Sequence, residues 1–471
     1  MRVMRVLIVG AVLAFIAIMS GIVQDVQDAQ AIPAFARKYD FACNVCHVPG
    51  FPKLNDFGNV FRDQGYQLGT DGDLPTFEAL GKGFWPVSLR TTVGYQVANL
   101  RVDGQALATS GFGFTGLDVL SFGTLARNLS FGIVYTPGLG DAGFGTGNSL
   151  GDSNLESAFV RLMNLERFVG GASNTYWANL RVGKFELDLP FSEKRAPTLN
   201  TPFVMYHYIP GTPYAATIGG ITPGPAFTNA NAFALGDNQP GIELTGIKRT
   251  DLTGGYFRYS LAGLTTNGGS FGDSGGRSAY FYGHVTQSFG GYGIVAGQRI
   301  GAFVAAGNTP TQCPASLSGG CAGTGALTQG EPFRRVGVDA SLTYGGQWNL
   351  FGAWMFGNDS SNLFTTVGPA QNAHWNGGFV ELNYNPIQLP KWLFIYRFDW
   401  ITNTQQGDTT LAGNFNNVRS HTIMARYYIH QSTRTDLAFH AEYNYYRDTA
   451  VGGGGGNLYG QTTLVGFDFA F

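Results

Sequence analysis

The chain has 471 residues, of which 69 are glycine, 14% are aromatic and only 13% are charged, and its formal net charge is −2. Charged residues stand at about half the usual globular share, so an ordinary soluble enzyme is a poor fit. With no basic excess and no acidic tail, nucleic acid is excluded as the expected partner.

The first predicted element is a targeting segment over residues 1–31. Arg2 and Arg5 precede an apolar run from Val6 to Val23, and Ala29-Gln30-Ala31 supplies a small-x-small cleavage site. The run is also long enough for a membrane helix. Removal as a signal peptide is the preferred reading, because no later stretch approaches that length and export suits the character of the remaining chain. The mature chain then begins near Ile32, outside the cytoplasm.

Residues 32–83 read as a small α-helical c-type cytochrome domain. Cys43-Asn44-Val45-Cys46-His47 is the C-x-x-C-H pattern of covalent haem attachment. Positions three apart share one face of a helical turn, so Cys43 and Cys46 can both bond haem vinyl groups while His47 ligates the iron as proximal ligand. A structural zinc site would need a second ligand pair, and residues 32–87 contain no other Cys or His. A redox dithiol would need a βαβ context, which is missing. In the adjoining "PKLNDFGNVFRDQGYQL", Leu54, Phe57, Phe61 and Leu68 recur at helical spacing, giving aromatic cover for one haem c. The sixth ligand is unassigned: the segment has no methionine and no second histidine. Met205 and His207, in "PFVMYHYIP", are weak candidates against ordinary loop packing.

After a linker ending at Trp85-Pro86 the period changes to two. In "KWLFIYRFDW", Trp392, Phe394, Tyr396, Phe398 and Trp400 share a face opposite Arg397 and Asp399; in "TDLAFHAEYNYY", Leu437, Phe439, Ala441, Tyr443 and Tyr445 alternate with Asp436, His440, Glu442 and Asn444. Aromatics at both strand ends match the girdles of an outer-membrane barrel. Sixteen strands are expected over residues 84–471, beginning near 88, 111, 128, 153, 174, 239, 253, 276, 291, 333, 347, 374, 390, 416, 433 and 458. Connections after most even strands are brief, as "GG" at 290–291, "GGQ" at 345–347 and "HQS" at 430–432. Those after odd strands are mostly long, including 187–238, 305–332 and 359–373. Short turns belong to the periplasmic side and long loops to the outside, which puts both mature termini in the periplasm or the lumen. The last strand, "LVGFDFAF", sets Phe467, Phe469 and Phe471 on one face, the aromatic ending by which outer-membrane barrels are recognised. The fold class expected is all-β: a 16-stranded antiparallel outer-membrane barrel preceded by the small helical cytochrome domain, in a Gram-negative bacterium.

Other motifs carry less. "GLGDAG" at residues 138–143 sits between strands, not before a helix, and reads as an external loop. Cys313 and Cys321 flank "PASLSGG" in a long loop, where an oxidising compartment favours a disulfide. "GGGGG" at 452–456 is linker chemistry. Arg181, Glu243, Arg299, Arg335, Asp339, Glu381, Arg397 and Asp399 fall on the inward face and are expected to wet the lumen, with an arginine among them available to a haem propionate.

The combination of "IPAFARKYDFACNVCH", "PKLNDFGNVFRDQGYQL" and a porin-like barrel resembles the fused outer-membrane monohaem cytochrome-porins of iron-oxidising bacteria. That resemblance implies oxidation of extracellular Fe(II), with the electron passing through the haem to periplasmic c-type cytochromes. It implies Cys43 and Cys46 as attachment residues and His47 as proximal ligand. A lone periplasmic haem could not reach an excluded donor across an apolar band about 25 Å tall; either the small domain folds into the lumen or a soluble donor enters the pore. Such one-electron transfer needs no nucleophile or general base, so whether the chain counts as an enzyme stays open. The alternative is a diffusion porin whose haem domain is a plug or redox gate, and a reductase working in the opposite direction would have the same sequence.

Overall fold

The computed structural model describes residues 33–41, 43–47, 52–70, 73–102, 105–137, 154–170, 175–208, 210, 234–250, 255–265, 279–289, 298–312, 327–360, 372–404, 416–431, 435–450 and 457–470. The targeting segment, the Cys313–Cys321 pair, "GLGDAG", the 452–456 glycines, the 290–291 turn and Phe471 lie outside the described residues.

Sixteen antiparallel strands succeed one another around a closed cylinder. They are β1 (Val87–Val102), β2 (Gln105–Ala126), β3 (Leu129–Thr136), β4 (Asn154–Leu162), β5 (Asn179–Phe185), β6 (Gln239–Thr250), β7 (Gly255–Leu264) and β8 (Tyr280–Phe289). The second half comprises β9 (Gln298–Gln312), β10 (Leu327–Tyr344), β11 (Trp348–Asp359), β12 (Ala373–Tyr384), β13 (Trp392–Asn403), β14 (Asn416–Gln431), β15 (Asp436–Ala450) and β16 (Asn457–Ala470). Closure comes from β1 against β16, in a continuous register from Arg90 opposite Ala470 to Val102 opposite Leu458. Every strand thus has two neighbours, and closure leaves the sheet without an edge strand, as a span through hydrocarbon requires.

The alternation read from sequence is the alternation of the wall. Along β11, Trp348, Leu350 and Trp354 are exposed while Asn349, Phe351, Ala353 and Met355 are buried. Along β13, Arg397 and Asp399 are wholly buried between aromatics that face outward. At one rim the aromatics pack within and between strands: Trp348 of β11 on Tyr384 of β12 at 3.9 Å, Trp392 on Phe394 within β13 at 5.6 Å, and Trp392 against Tyr427 of β14 at 5.0 Å between ring centroids. Phe398 and Trp400 stack at 5.8 Å further along β13. Amphipathic rings in bands suit the two lipid–water boundaries.

Two expectations change. The 305–332 loop is narrower, because β9 and β10 continue pairing out to Gln312 opposite Leu327; Pro310 and Pro332 break the apparent alternation there. The β1–β2 connection is only residues 103–104, although it comes after an odd strand. Its sequence is Asp103-Gly104, the dipeptide of the tightest hairpins.

The outward apolar face sets the first test. Ile423, midway along β14, is 56% exposed, and an arginine there would face hydrocarbon. Ile423→Arg is expected to lower barrel stability by about 2–4 kcal/mol, read from denaturant titration in lipid vesicles, while Thr463→Arg near the centre of β16 tests whether depth alone sets the cost.

Candidate functional site

Two segments occupy the lumen. The first holds four short helices: α1 (Pro33–Tyr39), α2 (Cys43–Cys46), α3 (Asp56–Asp63) and α4 (Thr76–Gly81). It is tied to opposite parts of the wall. Ala34 N donates to Ser88 Oγ at 3.2 Å and Arg37 Nη2 to the Val87 carbonyl at 2.8 Å, both on β1. Arg161 of β4 donates to the Arg62 carbonyl at 2.5 Å, Arg258 of β7 pairs with Asp63, and Lys53 lies 3.5 Å from the centroid of Phe351 on β11. A body that reaches β1, β4, β7 and β11 of a closed cylinder lies inside it.

The second segment is residues 186–208, which the length pattern of the connections places in an external loop over 187–238. It runs inward because its polar groups are claimed by the wall. Arg397 donates to the Thr201 and Pro202 carbonyls at 2.7 and 3.0 Å, Glu442 accepts from Leu199 N at 2.7 Å, and Tyr282 Oη donates to the Asp188 carbonyl at 2.7 Å. Phe203 stacks on Phe379 at 4.1 Å. The short helix α5 (Val204–His207) ends this insert. The inward charges expected to wet the lumen are instead paired: Arg181 with Glu243 at 2.6 Å, Arg299 with Asp339 at 3.2 Å, Arg335 with Asp359 at 2.7 Å, and Arg397 with Asp399 at 2.8 Å and Glu381 at 3.6 Å.

Cys43 and Cys46 are the first and last residues of α2, with His47 directly after it. This turn is clamped to α3 by residues that the motif alone does not reveal. Asn55 caps α3 by accepting from Gly58 N at 2.8 Å, and its Nδ2 donates to the Val45 and His47 carbonyls at 3.1 and 3.3 Å. Asn55 N donates to the Cys46 carbonyl at 2.9 Å. The two backbones approach so closely that a Cβ on residue 58 would fall 2.0 Å from the Cys46 oxygen; only glycine fits. A sequence signal for the cap existed, since Asn immediately before a helical run is a favoured N-cap. The helix itself stops at Asp63, and Gly65 with φ +67° and Tyr66 with φ +63° turn the chain, so Leu68 packs from beyond the helix rather than along it.

His47 is buried, and its Nδ1 lies 2.9 Å from the Pro52 carbonyl and 3.2 Å from that of Lys53. Carbonyl oxygens only accept, so Nδ1 carries the proton and Nε2 bears the lone pair, the tautomer a metal-ligating histidine requires. Burial pushes His47 down to about 4, against the pull of those two carbonyls, and the ring is neutral at pH 7. Burial likewise pushes the Cys46 thiol up to about 12, the opposite of an exposed, acidic redox cysteine.

Cys46 and His47 line a cavity of about 360 Å³. Its lining combines apolar residues, Phe35, Leu54, Phe61, Tyr66, Phe122 and Phe159, with Arg62, Arg90, Arg161, Arg181, Arg195 and Arg258, of which Arg161 and Arg181 lie 5.8 and 5.3 Å from the Phe159 centroid. Phe35 stacks on Tyr66 at 4.8 Å and meets Phe61 edge-on at 5.2 Å. Aromatic rings, arginine cations and a neutral imidazole in one lining suit a flat macrocycle bearing carboxylates, so the residues present fit haem c. Among the described residues lining the cavity His47 is the one histidine and there is no methionine. Met205 is buried in the aromatic core of the second insert, and His207 Nε2 lies 2.5 Å from Glu193. Neither is among the residues that line the cavity with His47.

No protein-family model and no curated protein matches the sequence. Among solved structures, an anion-selective porin from Comamonas acidovorans is similar over 82% of this chain and 99% of its own, at 15% identity and a TM-score of 0.50. The outer membrane channel DcaP of Acinetobacter baumannii aligns over 82% and 97% at 12% identity, with a TM-score of 0.44. The chain has the fold of an outer-membrane porin barrel.

The insert offers two tests. Gly58→Ala drives its methyl into the Cys46 carbonyl and is expected to weaken the α2–α3 clamp by about 1–3 kcal/mol, seen as faster hydrogen exchange in residues 43–63 with the barrel amides unchanged. Burial alone raises Asp63, but the Arg258 and Arg62 guanidiniums overcome it and hold the carboxyl at about 2. Its folded value lies below its ordinary one, so its contribution is present above about pH 4 and is lost as pH falls toward 2. Insert protection measured across that window is expected to drop in the native protein, and Asp63→Asn is expected to remove that step.

Proposed function

We propose that the chain spans the outer membrane and conducts electrons across it through one covalent haem c held in the barrel lumen. Extracellular Fe(II) is the donor and a periplasmic c-type cytochrome the acceptor. The observation that carries this reading is the place of the C-x-x-C-H turn: Cys46 and His47 line a cavity inside the wall of the cylinder. An outward apolar face with aromatic bands supports residence in the lipid of the outer membrane, and the short even-numbered connections support periplasmic termini.

Each of Cys43 and Cys46 would add its S–H across a haem vinyl group, and His47 Nε2 would ligate the iron, with Nδ1–H anchored on Pro52 and Lys53. The haem supplies a one-electron couple. The chain's own residues do the remaining work. Phe35, Phe61, Tyr66 and Phe122 keep water from the slot, Asn55 and Gly58 hold the attachment turn, and the Arg258–Asp63 pair fixes it to the wall. Burial and nearby charge are the levers on potential that such a site offers. The resemblance to fused cytochrome-porins of iron-oxidising bacteria points the same way.

A second reading is a diffusion porin in which the haem-bearing insert is a plug or redox gate. The similarity of the barrel to an anion-selective porin favours it, as does the concentration of arginines around the cavity.

Purified outer-membrane protein is expected to retain haem through denaturation, with a thioether-type haemochrome spectrum that Cys43→Ala and Cys46→Ala together abolish. Stopped-flow mixing is then expected to show rapid reduction by Fe(II) and reoxidation by a soluble c-type cytochrome. A covalent haem inert toward Fe(II), together with liposome swelling by small anions that Cys43→Ala leaves unchanged, would replace the conduit with the gated porin.

A further inference from the structure

Arg161 of β4 is the anomaly of the lumen. It is 2% exposed and lines the cavity that contains Cys46 and His47. The other arginines of that cavity have carboxylates: Arg62 and Arg258 share Asp63 and Asp188, Arg90 has Asp468, Arg181 has Glu243, and Arg195 has Glu186. Among the described residues Arg161 stands in no ion pair. Its one hydrogen bond there runs from Nη1 to the Arg62 carbonyl, and its Nε is buried with no acceptor.

Its surroundings make this costlier. Arg161 sits directly opposite Arg181 in the β4–β5 ladder, a like-charge pair that is unfavourable across two strands. A buried cation left unpaired costs several kcal/mol, and such a group persists where a ligand supplies the missing charge. A second orphan lines the same cavity: Thr245, whose buried Oγ1 has no partner among the described residues, two residues along β6 from Glu243, which itself stands opposite Arg181. A guanidinium and a hydroxyl lacking an acceptor on one stretch of wall make a receptor for a carboxylate.

We infer that Arg161 binds a propionate carboxylate of the haem, with Thr245 donating a further hydrogen bond, so that the cofactor neutralises the one cavity arginine that the described residues leave without a counter-ion. This rests on the haem reading above. Arg161 is here a cofactor-positioning residue, acting through charge and orientation rather than on the electron donor. Charge-assisted pairing with arginine holds a carboxylate ionised. Native protein is therefore expected to show a midpoint potential that varies little between pH 6 and 8.

The test is a redox titration of the full-length holoprotein across pH, with haem content measured by haemochrome. In Arg161→Gln the potential is expected to move negative, because a cation near the iron is gone, and to acquire a pH dependence near neutrality as the freed propionate titrates. Redox-difference infrared spectra should gain a protonated-carboxyl band at the lower pH. Arg161→Lys is expected to restore most of the native profile, and Arg101→Gln, on an exposed position of β1, to change nothing. A haem-replete Arg161→Gln whose potential–pH profile and infrared spectrum superimpose on the native ones overturns the inference and leaves the haem reading standing. Native protein that carries no covalent haem defeats the haem reading itself, and the inference with it. If Arg161→Gln does not fold, Thr245→Val decides: with Arg161 in place the propionate stays ionised, so the loss of the hydroxyl donor is expected to shift the propionate's carboxylate stretch in the redox-difference spectrum, and no shift there overturns the assignment.

Discussion

In hydrocarbon a backbone N–H or C=O without a partner costs several kcal/mol, and that penalty dictates the architecture. A sheet can meet it only by having no edge. The β1–β16 seam removes the edge, and once it is closed the period of two in the sequence sorts every side chain to lipid or to lumen. The same alternation that puts Ile423 and Trp354 outside puts Arg397, Asp399 and Glu381 inside with no exposure. Closure therefore creates the lumen and fills it with charge at once.

That charge explains why the lumen holds protein. Interior arginines and carboxylates need partners, and a chain of pairs supplies them: Arg258 joins Asp63 of the first insert to Asp188 of the second, His284 lies 3.1 Å from both Asp188 and Asp339, and Asp339 meets Arg299. Breaking one partner of such a buried set strands the other, so the wall and both inserts are interdependent. The α2 turn gains a fixed position from this network. It is held by α3, α3 is held by Arg258, and Arg258 belongs to the wall.

The reach of sequence depends on which interactions are local. Strand count and most strand positions were legible, because alternation such as Trp392, Phe394 and Tyr396 against Arg397 and Asp399 is written within each strand. The turn that carries Cys43, Cys46 and His47 was legible because a spacing of three residues is local, and the structure places the two cysteines at the ends of one helical turn. The inward course of residues 186–208 was not: Asp188 and Thr201 are polar loop residues until Arg258 and Arg397, far along the chain, claim them. The pairing of the lumen charges was hidden for the same reason. So was the solitary state of Arg161, which is defined only by the partners its neighbours already hold. The start of β2 was also misplaced, near 111 where the strand begins at Gln105.

The link between α4 and β1 is only residues 82–86, and α1 is also bonded to Val87 and Ser88 at the first step of the seam strand. The helical insert is thus on a very short leash. At millimolar or greater effective concentration near its own berth, an insert shaken loose would return before it could wander, and any unblocking of the pore would be a brief local excursion. An insert built this way needs no lock to stay with its barrel.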